Sequence, residues 1–360
     1  MGAIATVDSL SAFAGKRVFV TGHTGFKGSW MTFILREVGA EVMGFALPPE
    51  SERSHFDMLG LEHRITHVIG DIRDAAALSA TLQTFQPEYV FHMAAQALVK
   101  RSYDDPAETF STNVIGSVNL LEAVRHCDSV RSLVYVTSDK CYENVEWVWG
   151  YRENDRLGGR DPYSASKAAA ELVFSAYISS YFAARPTLGA ASVRAGNVIG
   201  GGDWAKDRIV PDCIRAVEAK RPIQLRNPRA TRPWQHVLEP LSGYLRLALR
   251  LRNDPARYAG SWNFGPPSID VRTVDEVAKT IMNRFTTDGI EIVTSPSQQH
   301  EAMLLQLNCD KAHQILGWYS RWGVDKTLAA TAEWYKAVLD GVNAETITRL
   351  QIHNFFPELA

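Results

Sequence analysis

Arg17-Val-Phe-Val-Thr21 is a short apolar run that enters Gly22-His-Thr-Gly25-Phe-Lys-Gly28, and helical spacing follows from about Trp30 to Val38. Strand, glycine turn and helix in that order constrain this chain more than any other stretch, because each glycine has a separate task. The first permits a tight turn out of the strand, the second lets backbone N–H groups approach a pyrophosphate, and the third lets helix pack closely on sheet. The three-residue spacing departs from the commoner dinucleotide fingerprint, whose first two glycines stand two apart. Further strands are expected at Glu41–Ala46, Thr66–Ile69, Tyr89–Met93, Leu133–Thr137 and Leu188–Arg194, separated by helix-length polar or amphipathic stretches. Such alternation predicts an α/β fold, a Rossmann-like doubly wound parallel sheet with helices on both faces.

After Asn197 the pattern loosens around Gly200-Gly-Gly202 and several prolines, with helices expected near 207–220, 238–252, 273–285 and 324–340. This predicts two coupled lobes. Residues 1–195 form a dinucleotide-binding domain carrying the catalytic residues, and residues 196–360 form mainly a smaller substrate-binding lobe, with some segments returning to the first. The balance of 38 Lys+Arg against 40 Asp+Glu offers no basic excess for nucleic acid. Residues 1–14 lack a basic segment and a long apolar core and read as a short tail, while no apolar run approaches the ~20 residues of a membrane span. Cys127, Cys141, Cys213 and Cys309 have no paired spacing, so neither a zinc site nor a disulfide framework is expected, and a reducing cytoplasm is.

Asp161-Pro-Tyr163-Ser-Ala-Ser-Lys167 sets a tyrosine and a lysine four residues apart. Asp161 can cap a helix whose first turn holds Pro162, which puts Tyr163 and Lys167 one turn apart on a shared face. A tyrosine of reference pKa ~10 is a poor base, but a nearby ammonium and a nicotinium both favour the phenolate. Such a pair alone is common on ordinary helices; with the glycine turn upstream and Ser138 at a strand end, it reads as a hydroxyl-oxidising site beside a dinucleotide. The acid that usually selects NAD is missing from the end of the second strand, where Gly44-Phe45-Ala46-Leu47 stands. Glu50 or Glu52 can substitute, and Arg53 equally suits a 2′-phosphate, so NADP stays open beside NAD and loose binding is expected.

Thr21–Gly28, Phe91-His-Met-Ala-Ala-Gln96, Asn113, Ser138, Tyr163, Lys167, Arg194-Ala-Gly-Asn197 and Arg232-Pro-Trp-Gln-His-Val237 span most of the chain. Together they resemble the extended short-chain dehydrogenase/reductases that act on nucleotide sugars. Ser138-Asp139-Lys140, followed by Cys141-Tyr-Glu-Asn144 and Glu146-Trp-Val-Trp-Gly-Tyr-Arg-Glu153, is similar to the CDP-glucose 4,6-dehydratase subgroup. Most 4,6-dehydratases carry Thr-Asp-Glu there, a lysine in third place marks CDP-specific members, and simple 4-epimerases lack the aspartate.

The resemblance implies that NAD is held by Gly22, Thr24, Gly25, Phe26, Lys27 and Gly28 of the turn and by Asp71 and Ile72 after the third strand. It adds Ala94 and Ala95 after the fourth, then Asn113, Tyr163 and Lys167. Ser138 would orient the sugar hydroxyl, Tyr163 take its proton, and protonated Asp139 donate to the departing C6 hydroxyl. Lys140 occupies the place of the base, although an ammonium of reference pKa ~10.4 must be lowered to accept a proton. Otherwise it stabilises the enolate while another group takes the proton. Gln96, Asn197, Arg208, Arg232 and His236 would grip CDP-glucose, arginine suiting the diphosphate through its planar fork. Trp147 and Trp149 are candidates for a lid. A homodimer, or else a tetramer, is implied through the helices around Asp105–Arg125 and Pro162–Phe182. Other readings stay open: a 4-epimerase or a dTDP-, GDP- or UDP-sugar dehydratase of the same fold, and a non-catalytic dinucleotide sensor.

Overall fold

The computed structural model describes residues 9–285, 291–294 and 304–359. Its main sheet has strands β1 (Arg17–Thr21), β2 (Glu41–Ala46), β3 (Thr66–Ile69), β4 (Tyr89–His92), β5 (Ser132–Val136), β6 (Gly189–Ala195) and β7 (Gly260–Phe264). They lie in the order β7-β6-β5-β4-β1-β2-β3, every pair parallel.

Both faces of the central strands are covered, so alternate side chains enter two different cores. Val18 and Val20 of β1 and Val134 and Val136 of β5 join one core with Trp30, Ile34, Leu241 and Leu245. Phe19, Leu133 and Tyr135 point the other way, to Leu82, Leu120 and Phe174. The helices Phe26–Glu37 and Leu238–Asn253 thus cover one face, and Ala75–Phe85, Gly116–Arg125 and Pro162–Ser180 the other.

The first six strands fall within a residue or two of the sequence expectation. β7 does not: Gly260-Ser-Trp-Asn-Phe264 has too few apolar positions to show a period, yet Trp262, Asn263 and Phe264 are all fully buried beside β6. Within the expected short tail, Leu10–Phe13 forms a 3-10 turn whose Leu10 and Phe13 pack into the core. Beyond β6 lie three small ladders: Val198–Ile199 with Gln235–His236, Thr231–Pro233 with Val271–Thr273, and Ile223–Leu225 with Ile292–Thr294. Strands this short leave no periodic signature. Among the described residues no helix is long and apolar enough to cross a membrane, and all four cysteines are free and buried.

Candidate active site

Residues that follow the carboxyl ends of β1, β4, β5 and β6 line a cavity of about 430 Å³. In an open parallel sheet, the order reversal between β1 and β4 makes this the expected place for a ligand. Ser138, Asp139, Lys140 and Tyr163 line it, while Lys167 lies buried one helical turn beyond Tyr163 and does not. Asp161 accepts from Ser164 N at 2.9 Å and Pro162 occupies the first helical turn, so the cap starts the helix just before Tyr163. The Tyr163 amide is fixed by Ser102 Oγ at 3.2 Å.

Opposite stands Ser138, which caps the short turn Asp139–Cys141. Its Oγ donates to Asp139 Oδ1 at 2.9 Å and accepts from Lys140 N at 3.2 Å. Asp139 is only 4% exposed and rests over Gly196, where a Cβ would come within 3.1 Å of Oδ2. Burial raises its carboxyl above the ordinary range, against the pull of Lys140, Ser138, Arg232 and Lys27. Burial likewise pushes the Tyr163 phenol up to about 12, with its hydrogen bond to Ser138 acting in the opposite sense. For Lys167 burial and the neighbouring Lys27 lower the ammonium to about 8, opposed by Glu171. The site thus holds a carboxyl biased toward its neutral acid form next to a tyrosine that needs extra positive charge to ionise.

The glycine turn fits a dinucleotide pyrophosphate. A Cβ at Gly22 would stand 2.6 Å from Ala94 N, and one at Gly28 would stand 2.0 Å from Gly22 O, so backbone occupies both places. At Gly25, by contrast, Gly22 O at 3.4 Å is the sole near neighbour. Gly25 caps the helix Phe26–Glu37 without a side-chain bond, leaving its first N–H groups and positive dipole end for an anion. Thr24 Oγ1 is engaged with Leu47 O at 2.9 Å, and Asp71 is held by Arg73 at 2.5 Å.

Several expected contacts are placed elsewhere. Lys27 lines the cavity, facing Arg208, Asp139 and Asp203. Asn113 spends its side chain internally: its Oδ1 accepts from Gln96 N at 2.8 Å, and its Nδ2 donates to Gln96 O at 3.0 Å and Ser166 Oγ at 2.9 Å. The Gln96 amide is likewise used by Thr109 and Leu98 N. His236 does not reach the cavity; it is fully buried with its ring between Trp30 and Trp322. Glu50 pairs with Arg101 at 2.7 Å and Arg53 with Glu218 at 2.8 Å, so each side chain is engaged with a neighbour of opposite charge. Asn197, Arg208 and Arg232 do line the cavity, whereas Trp147 and Trp149 do not.

A family model described as GDP-mannose 4,6 dehydratase matches residues 19–331. The chain belongs to that family. Within it, a CDP-glucose 4,6-dehydratase of Salmonella typhimurium (strain LT2) is 48% identical over 347 residues, covering 95% of this chain and 96% of that protein. A dTDP-glucose 4,6-dehydratase of Xanthomonas campestris pv. campestris is 26% identical, over 89% of this chain and 95% of that one. The solved dTDP-glucose 4,6-dehydratase DesIV of Streptomyces venezuelae shares the fold, with a TM-score of 0.76 at 24% identity over 89% of this chain and 97% of that one.

Two residues that matter to the dehydratase site gave no sequence signal. Asp203 anchors Arg208 through a 2.9 Å ion pair and lies in a loop with no recognisable spacing. Ser102 meets the tyrosine helix only because the short helix Val99–Asp104 after β4 packs against it. Glu171 was legible in principle, eight residues past Tyr163 and so on the same helical face.

Proposed function

We propose that this protein dehydrates CDP-D-glucose to CDP-4-keto-6-deoxy-D-glucose with NAD as its cofactor. The observation that carries this reading is Asp139, a buried carboxyl biased toward its acid form and hydrogen-bonded to Ser138 Oγ at 2.9 Å. An epimerase needs no such acid. The identity with a CDP-glucose 4,6-dehydratase supports the choice of reaction and sugar nucleotide.

NAD, when bound, would accept hydride from C4 and return it to C6, leaving the cofactor unchanged. The uncapped glycine turn and Lys167 would hold it. Ser138 orients the C4 hydroxyl and Tyr163 takes its proton, and the resulting ketone acidifies C5–H. A basic group of the cavity wall takes the C5 proton and returns it to C5 as hydride reaches C6, while Lys140, a charged neighbour of Asp139, stabilises the intervening enolate electrostatically. Asp139 then gives its proton to the C6 hydroxyl, which departs as water. Arg208, Arg232 and Asn197 hold the diphosphate, and Lys27 adds a cation on the same wall.

The reading includes a division of labour between residues 1–195 for cofactor and chemistry and residues 196–360 for the sugar nucleotide. It also includes a homodimer, since Phe110, Ile115 and Leu172 expose apolar side chains on the two helices expected to pair. The setting is a cytoplasmic route to deoxysugars of surface polysaccharide. The test is turnover: purified protein is offered CDP-, dTDP-, GDP- and UDP-glucose with NAD or NADP, and products are weighed by mass spectrometry. Loss of water from the CDP sugar alone is expected. An unchanged mass with inverted C4 would make the enzyme an epimerase, and no turnover would favour a sensor.

A further inference from the structure

We infer that the buried ion pair between Glu171 and Arg194 is the positioning element that aligns the two halves of the active site. The inference rests on the proposed reading for the identity of those halves. Tyr163 and Lys167 arrive on the helix Pro162–Ser180, while Ser138, Asp139 and Lys140 arrive on the loop after β5. Among the described residues no backbone hydrogen bond joins the helix to that triplet, so side chains set their spacing.

Glu171 lies on the Tyr163–Lys167 face, one turn beyond Lys167, with its side chain 1% exposed against 2% for Arg194. The pair is bidentate: Arg194 Nε donates to Oε1 at 2.9 Å and a terminal guanidinium nitrogen to Oε2 at 2.7 Å. Oε1 also accepts from the hydroxyl of Thr137, the residue immediately before Ser138. Oε2 accepts from Ser192 of β6 at 2.8 Å. The other terminal nitrogen of Arg194 donates to Tyr142 Oη at 2.7 Å and Glu153 O at 3.0 Å, and the guanidinium lies 4.9 Å from the Tyr142 ring centroid. Tyr142 Oη in turn donates to Asn263 Oδ1 at 2.8 Å. One ion pair therefore touches the tyrosine helix, the strand end bearing the catalytic triplet, β6, and the loop that follows the triplet.

Neither residue lines the cavity, so both act through others. The chemistry punishes misalignment strongly, since a shift of about 1 Å at a reacting group can cost ~10²-fold in rate. Substrate affinity, which depends on Arg208, Arg232 and Asn197 across the cavity, is left largely alone. A pair serving stability only would behave differently, because apolar replacement of a buried ion pair is often neutral or stabilising.

The test uses Glu171→Gln and the apolar double variant Glu171→Leu with Arg194→Met, read on whichever nucleotide sugar the wild type turns over. If CDP-glucose is not that sugar, the proposed function falls while the pair is still judged by the ratio of variant to wild type. The expected result is a kcat down by about 10²-fold with KM within about threefold, in the double variant even where its Tm returns to the wild-type value. A double variant that regains both Tm and kcat overturns the inference. Where these variants do not fold, Thr137→Val decides, because it keeps the side-chain shape and removes the hydroxyl that donates to Glu171 and, at a longer 3.3 Å, to Val193 O. A kcat lowered about tenfold at unchanged KM and Tm supports the pair as a positioning element; an unchanged kcat overturns it.

Discussion

Ser138 Oγ and Asp139 Oδ1 stand 2.9 Å apart, so the hydroxyl proposed to orient the sugar and the acid proposed to release water are coupled to each other. Asp139→Asn keeps the shape and the hydrogen bond but cannot donate a carboxyl proton. Turnover should fall about 10²–10⁴-fold, the usual contribution of a general acid. Reduced nicotinamide should still appear on mixing with substrate. A variant that dehydrates normally would remove Asp139 from the mechanism.

Tyr163→Phe should block cofactor reduction while CDP-glucose still binds. Calorimetry should report a Kd within a few-fold of wild type, and the absorbance of reduced nicotinamide should not develop. Near-normal turnover would refute its role as the C4 base.

Much of this was legible in the sequence. The glycine turn, the capped Tyr163 helix and the Ser138 triplet are local features whose geometry follows from nearby residues. The rest depended on long-range packing. His236 looked like a substrate ligand because it follows Arg232 in a short motif, yet a two-residue ladder with Ile199 turns it into an aromatic core. Lys27 is expected among the cofactor-binding residues of the turn, and the first helical turn sets it facing Arg208, Asp139 and Asp203. β7 was silent because its burial comes from β6 and not from its own pattern.

Lys140 can act as a base or as a fixed charge, and arginine separates the two, since guanidinium keeps the charge and does not give up its proton. Exchange of the C5 proton with deuterated solvent should persist in Lys140→Arg and drop by about 10²–10³-fold in Lys140→Met, the loss typical of one electrostatic donor. Exchange lost equally in both variants would make Lys140 the base.

Lys167 should cost stability while it serves catalysis. Its folded pKa of about 8 lies below the ordinary 10.5, so between those values the unfolded chain binds more protons and stability rises with pH. Below about 8 the penalty is complete. Lys167→Met should therefore raise Tm at neutral pH, by at most ~3 kcal/mol of stability, while abolishing turnover. A lowered Tm would contradict this.

Acid should act through histidine. Burial lowers His23, His55, His92 and His236 to about 3 from 6.5. All four stay neutral in the fold, so stability is intact above 6.5 and declines as pH falls from there toward 3. Denaturant titrations from pH 7 to pH 4 should show the midpoint falling throughout; a flat midpoint would refute it.

The central claim is a dehydration built on temporary oxidation, and the fate of one hydrogen tests it most directly. CDP-glucose carrying deuterium at C4 is converted, and the product is read by mass spectrometry and NMR. The account predicts loss of water with the deuterium recovered at C6 of the same molecule. Deuterium kept at C4 of an unchanged-mass sugar, or water lost with no deuterium at C6, would contradict it.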